Sequence, residues 1–183
     1  MKRKPNKWLI CIFCVILAAA VSVFAMLCKR YFQEKASLEQ LTFAFFSAKE
    51  ADFQSEEHLS LAEFYSPEVR DTMESQTSWL LFRMEKLVRW SIAEDILWER
   101  FHVQIRDVKI KGTAAVVHAT ESYEYELSFA DGTESARFTA FEIFCEKSGG
   151  EWYITSISTD NMLESFVEGV SAGEIPGLLG LDQ

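Results

Sequence analysis

Only one of the four cysteines, Cys145, lies beyond the first 28 residues. A lone cysteine cannot close an internal disulfide, so the body of this chain must hold together through its core. Cys145 itself reads as a small apolar filler in a strand rather than a reactive thiol. No phosphate loop, nucleophile elbow, zinc-ligand spacing, heptad or internal repeat occurs, so the chain offers no motif for a cofactor or a metal and none is expected. Acidic residues are absent from the first 30 positions, which carry six basic groups. All 28 acidic residues and 12 of the 18 basic ones follow Arg30, leaving residues 31–183 at −16. A body this acidic repels phosphate backbones, which excludes nucleic acid as a partner. It also stays off anionic lipid except where it is tethered.

What is present divides the chain. It has 183 residues, 49% of them apolar, enough for one domain with a sizeable core and an appendage. Trp8 to Cys28 is a run of 21 residues in which Ser22 is the only clearly polar member. As a helix it spans a hydrocarbon core of about 30 Å. Lys2, Arg3, Lys4 and Lys7 precede it, while Lys29, Arg30 and Lys35 follow with Glu34 as a partial offset. The positive-inside bias puts the N-terminus in the cytoplasm and the body outside the membrane. Lipidation at Cys28 fits poorly, because Met26 and Leu27 precede it instead of small residues. Cleavage near Ala25, releasing a secreted protein, is the alternative: Val23 and Ala25 sit at the −3 and −1 positions. The apolar run continues past that point and is longer than a signal core, which favours a retained single-pass anchor.

The expected organisation is a cytoplasmic tail at 1–7, the span at 8–28, a linker at 29–36, a domain at 37–168 and a loose tail at 169–183. Within the domain, Ser37 caps a helix with Leu38, Leu41, Phe45 and Ala48 on one face. Ser55, Glu56 and Glu57 start a second helix ending near Tyr65. Ser66-Pro67-Glu68 opens a long third one. Its apolar face is Leu80, Met84, Leu87, Val88 and Ser91, with Arg83, Glu85 and Arg89 turned away.

After Trp98 the period becomes two. Phe101, Val103 and Ile105 alternate with His102 and Gln104, then the phase slips to Val108 and Ile110, which places a bulge near Arg106-Asp107. Lys111-Gly112 turns the chain. The next strand sets Ala115, Val117, Ala119, Tyr123, Tyr125 and Leu127 on one face, with Glu121 as the exception. Asp131-Gly132 is a hairpin signal. "ARFTAFEIFCEK" reads as a central strand, "SGGE" as a turn and "WYITSIST" as the fourth strand, with a short closing helix at 160–168. Tight turns make neighbours antiparallel. The class is α+β: an N-terminal transmembrane helix, then three helices on a curved four-stranded meander.

That pattern, with "GGEWYITSIST" as the last strand, resembles the NTF2-like (cystatin-like) fold, whose final strand commonly reads G-x-W-x-I. The resemblance covers roughly residues 37–160 and implies fold rather than activity. "SFADGTESARFTAFEIFCEKSGGEWYITSISTDN" is similar to the region that precedes amidase-like domains in Gram-positive cell-envelope proteins, here without the catalytic domain. The plan of tail, single span and body also resembles the VirB8-like component of conjugation and secretion machines.

Enzymes of this fold place a His, Asp or Tyr inside the cone of the sheet. His58 stands among Glu56, Glu57 and Glu63 and reads as a solvated face. His102 and His118 fall on the polar phase of their strands, where surface positions are the expectation and a pocket pair is the sharper alternative. Tyr123, Tyr125 and Trp152 complete the candidate pocket or partner surface, although large aromatics of this kind are more often core. Glu121, Glu124, Glu126 and Glu142 read as a solvated acidic face. The expected function is a non-catalytic, extracytoplasmic, membrane-anchored module that binds a protein or a cell-envelope component. The alternatives are a small-molecule-binding or lyase/isomerase-like enzyme using the cone, and the assembly role of the VirB8-like proteins. Homo-oligomerisation stays open.

Overall fold

The computed structural model describes residues 7–55, 59–72, 77–128 and 134–159. The Asp131-Gly132 turn, His58 with Glu56 and Glu57, the closing helix at 160–168 and the tail at 169–183 lie outside the described residues. The chain divides into two compact units, Met1–Ser37 and Leu38–Gln183.

Helix α1 runs Lys7–Gln54. No break occurs at the linker expected over 29–36, and Ser37 is not a cap. Its hydroxyl donates instead to Gln33 O at 3.0 Å, one turn back. The physical reason is local: Gln33, Glu34, Lys35 and Ala36 are good helix formers, and neither Gly nor Pro interrupts them. Among the described residues α1 is the one helix long and apolar enough to cross a membrane. Ser22, the polar residue of the apolar run, donates to Ala18 O at 2.9 Å, which leaves no hydroxyl unsatisfied in an apolar medium.

In the second unit, the described residues of the helix expected over 55–65 form no α-helix. Leu59–Leu61 is irregular and a single 3₁₀ turn covers Ala62–Phe64. Leu61 and Tyr65 are both buried in the core, and Tyr65 bridges in parallel to Ile154. Ser66 and Pro67 do start a helix, α2, but it stops after Pro67–Arg70. Helix α3 is separate and spans Thr77–Ser91.

Four antiparallel strands follow in the order β1-β2-β3-β4: β1 Ile96–Lys111, β2 Ala114–Leu127, β3 Glu134–Ser148 and β4 Glu151–Thr159. The expected bulge is present, as a register shift between Ile105 and Asp107. Two further shifts lie at Ile96/Trp98 and Phe144/Cys145. Bulges of this kind bend a sheet. Gly149 and Gly150 both have positive φ (61° and 97°) in the two-residue turn between β3 and β4, a conformation that glycine adopts without strain. The architecture is α+β, helices on a curved antiparallel meander, and is consistent with the NTF2-like fold. Its core joins Leu38, Phe45 and Phe46 of α1 and Phe82 of α3 to Val117, Phe141, Ile143 and Ile154 of the sheet.

The orientation of α3 differs from expectation. Leu80 and Leu87 are 50% and 64% exposed, while Phe82 and Lys86 are buried and Glu85 and Arg89 are half-buried. Leu80 and Leu87 point outward, Met84 and Val88 are half-buried, and Glu85, Lys86 and Arg89 turn inward. Of the three charged residues expected to turn away, Arg83 alone is turned to solvent. The reason lies opposite the helix, where α1 and the sheet supply partners for those charges.

Candidate functional site

One face of α1 carries Lys49, Asp52 and Phe53, spaced so that all three meet α3 or the sheet. The Lys49 Nζ donates to Glu121 Oε2 at 2.6 Å and lies 3.9 Å from Glu85 Oε2, with all three side chains buried or nearly so. Glu85 is also paired with Arg137 of β3. Around the ammonium, the rings of Phe82, Phe141 and Phe46 stand 4.9, 5.4 and 5.9 Å away. Lys86 reaches Asp52 Oδ1 at 3.0 Å, and the same oxygen accepts the Leu59 N–H at 2.7 Å.

Arg89 grips Glu99 of β1 with a two-point fork, Nε to Oε2 at 3.0 Å and Nη2 to Oε1 at 2.6 Å. The Tyr123 hydroxyl donates to Glu99 Oε2 at 2.9 Å. Burial pushes the Glu99 carboxyl up, but the hydrogen bonds from Arg89 and Tyr123 and the Arg89 charge outweigh it and hold the group below its usual value. The Glu99 hydrogen bond in turn raises Arg89. Burial, then the bond to Glu99, raises Tyr123. Glu50 stands apart. Desolvation, and after it the charges of Glu121 and Glu99, push its carboxyl above the usual range.

Tyr123 and Tyr125 are brought together, stacked at 5.0 Å and 26°. Phe101 stacks on Tyr123 at 4.5 Å, and Phe53 meets its edge at 5.6 Å. Trp152 is elsewhere. Tyr123 lies opposite Arg137 and Trp152 opposite Lys147, ten residues apart on β3 and so roughly 30 Å distant. His102 is exposed opposite Ser122, and His118 is half-buried opposite Asp107, four residues further along β2. The Nδ1 of His118 lies 3.4 Å from Glu142 Oε1, on the sheet face away from the core. The two imidazoles are not brought together.

Sequence reasoning did not pick out Lys49, Glu85, Lys86, Arg89 and Arg137. The available signal was Glu121, an acid in phase with buried alanines and valine, which demanded a cation opposite it. Of the other acids grouped with it, Glu126 is half-buried and accepts the Trp98 Nε1–H at 2.6 Å. Between α1, α3 and the sheet the interior is filled by Phe45, Phe46, Phe82 and Phe141. A depression of about 550 Å³ opens at the far end of β1, lined by Lys109, Lys111, Val116 and Phe144 among others.

No protein-family model matches the chain, and no curated protein matches its sequence. Solved structures of similar architecture are NTF2-like and ketosteroid isomerase-like proteins. A ketosteroid isomerase-like protein from Erwinia carotovora atroseptica is 16% identical, over 68% of this chain and 92% of its own, with a TM-score of 0.40. An NTF-2-like protein of unknown function from Shewanella oneidensis is 12% identical, over 69% and 98%, with a TM-score of 0.38. The intermembrane space region of the chloroplast protein ARC6 is 15% identical, over 68% and 94%, with a TM-score of 0.39. Likeness of this degree carries no argument about activity.

Proposed function

We propose that the chain is a single-pass membrane protein whose extracytoplasmic domain is a non-catalytic interaction module for a protein partner or an envelope component. One observation carries the reading. The interior position that a catalyst of this architecture needs open is occupied by Lys49, locked to Glu121 and ringed by three phenyl groups. The candidate histidines sit on the other side of the sheet, and apolar side chains such as Leu87 and Phe138 (64% and 65% exposed) face solvent. A lyase or isomerase would need the interior to admit substrate, and the filled core argues against that. For the anchor, the support is an apolar helix with basic flanks on both sides.

The test is photo-crosslinking in native membranes from a benzophenone side chain at Leu87 or Phe138. A discrete adduct that is lost on adding soluble domain as competitor is expected. A saturable rise in Tm with small carbonyl compounds, coupled to slowed exchange of amides around Phe141, would sink the module reading. Membrane extracts should contain the full-length chain, and an N-terminus at Met26 in the medium would defeat the retained anchor.

A further inference from the structure

We propose that the outer edge of β1 is a docking edge for an extended, acidic segment of a partner protein, which adds to the sheet as a fifth strand. The inference deepens the interaction-module reading and rests on it. Two strands of the sheet present an edge, and the fold treats them differently. The edge strand β4 has nine residues, and one edge position is already closed. Tyr65 bridges to Ile154, and the Ser66 N–H donates to Ile154 O at 2.9 Å. By contrast β1 has sixteen residues and pairs with β2 alone. Among the described residues no backbone hydrogen bond reaches its other side. Such a row of unpaired N–H and C=O groups is a template for another strand.

Charge selects the occupant. Glu99 is turned inward and held by Arg89. The solvent side of β1 then carries Arg100, Arg106, Lys109 and Lys111 against Asp107 alone. Their ion pairs are long and exposed, Arg100 at 4.0 Å to Glu124 and Lys109 at 3.6 Å to Asp107, and hold little energy; Lys109 also lies 3.5 Å from His118 Nε2 and Arg100 over the Trp98 ring. Lys111 has no partner among the described residues. In a body of −16 this is a basic stripe, so it attracts an acidic strand, whereas a second copy would bring the same cations face to face.

Geometry limits the ladder. The uninterrupted stretch is Trp98–Ile105, long enough for an ordinary strand. At the bulge the Asp107 carboxylate accepts the Val108 N–H at 2.9 Å, so beyond it the added segment meets β1 through side chains. There the depression beside Lys109 and Lys111 offers an apolar floor that includes Val116 and Phe144, with Glu146 on its rim as well as the two lysines.

The experiment titrates the full-length chain, in detergent, with a decapeptide of alternating Val and Glu and with its Val–Lys counterpart. Expected are slowed exchange of β1 amides with the acidic peptide and binding at least about tenfold tighter than the basic one at low salt. Replacing the three exposed cations (Arg106→Glu, Lys109→Glu and Lys111→Glu) should remove at least about tenfold of that affinity. If the triple variant misfolds by circular dichroism, Lys109→Gln with Lys111→Gln should still weaken binding measurably. Equal binding of both peptides, or protection on α3 or β4 instead, overturns the edge site. So does concentration-dependent protection of β1 in the peptide-free protein, which would assign the edge to a second copy. Those failures leave the crosslinked adduct of the module reading intact, whereas a small-molecule Tm shift with unchanged β1 exchange strikes the module reading itself.

Discussion

The interior of the second unit has two halves built on the same strands. Along β2, Ala115, Val117 and Ala119 face one half and Glu121, Tyr123 and Tyr125 the other; the alternation of burial is clean as far as Glu121 and ends at Ser122, which is also buried. The first half is dry. Val108, Ile143, Cys145, Ile154, Leu61 and Tyr65 close it. Burial raises the Tyr65 hydroxyl and pushes the Cys145 thiol up to about 12, so neither is reactive at neutral pH. The second half places Lys49, Lys86, Arg89 and Arg137 against Asp52, Glu85, Glu99 and Glu121. Both halves are buried by a helix, yet they hold by different physics. Apolar contact tolerates any partner of the right volume, whereas a buried ion pair tolerates only its own.

Deleting one charge should therefore hurt more than deleting carbon. Lys49→Met leaves Glu121 buried and uncompensated, and should cost about 3–5 kcal/mol in urea unfolding. Adding Glu121→Leu to it should recover most of that loss, because Arg137 still holds Glu85 and an apolar pair of similar volume often matches a buried ion pair. A double variant as unstable as the single one would mean that Lys49 acts through its ring contacts instead.

The same contrast explains what the sequence disclosed. The strands, the turns at Lys111-Gly112 and Gly149-Gly150 and the bulge at Arg106-Asp107 were legible because alternation and turn chemistry are local signals. The Lys49–Glu121 pair was not: Glu121 stood out as an acid on an apolar face, but its partner is 72 residues away and looks like an ordinary surface charge. The inverted face of α3 has the same origin. Leu80, Met84 and Leu87 outscore Glu85, Lys86 and Arg89 on any apolar scale, and only the partners Asp52, Glu99 and Arg137 reverse the choice. His102 and His118 were readable as polar-phase residues, but their separation followed from register, which the bulge shifts.

In the dry half, Ile154→Val removes one methylene and should cost about 0.5–1.5 kcal/mol, independent of salt and of pH between 5 and 8. A dependence on salt would show that the two halves are not separate energetically. Smaller still is the double change His102→Gln and His118→Gln on the outer face. One position is exposed and the other half-buried with a long Glu142 contact, so stability should stay within about 0.5 kcal/mol. A larger loss would give the outer face a structural weight that the comparison assigns to the interior alone.

The change at Glu50 is the smallest and the most informative about the charged half, because its carboxylate and that of Glu99 pull in opposite directions. The pKa of Glu99 is lowered by folding, so its contribution is present above the unfolded value near 4.5 and is lost as pH falls through the folded one. In Glu50 the pKa is raised, chiefly by desolvation and then by Glu121 and Glu99. Its contribution is present below 4.5 and is lost as pH rises through the raised value. Glu50→Gln should therefore raise the urea midpoint slightly at pH 7, and the gain should vanish as the pH falls below 4.5, where the native residue already carries a proton. Glu99→Gln should do the reverse, lowering the midpoint at pH 7 by more than at acid pH. Midpoints measured from pH 3 to 8 for the three proteins separate the cases. If the Glu50→Gln offset were unchanged across that range, charge repulsion would not be its cause, and the ionic half would be balanced without the fifth carboxylate.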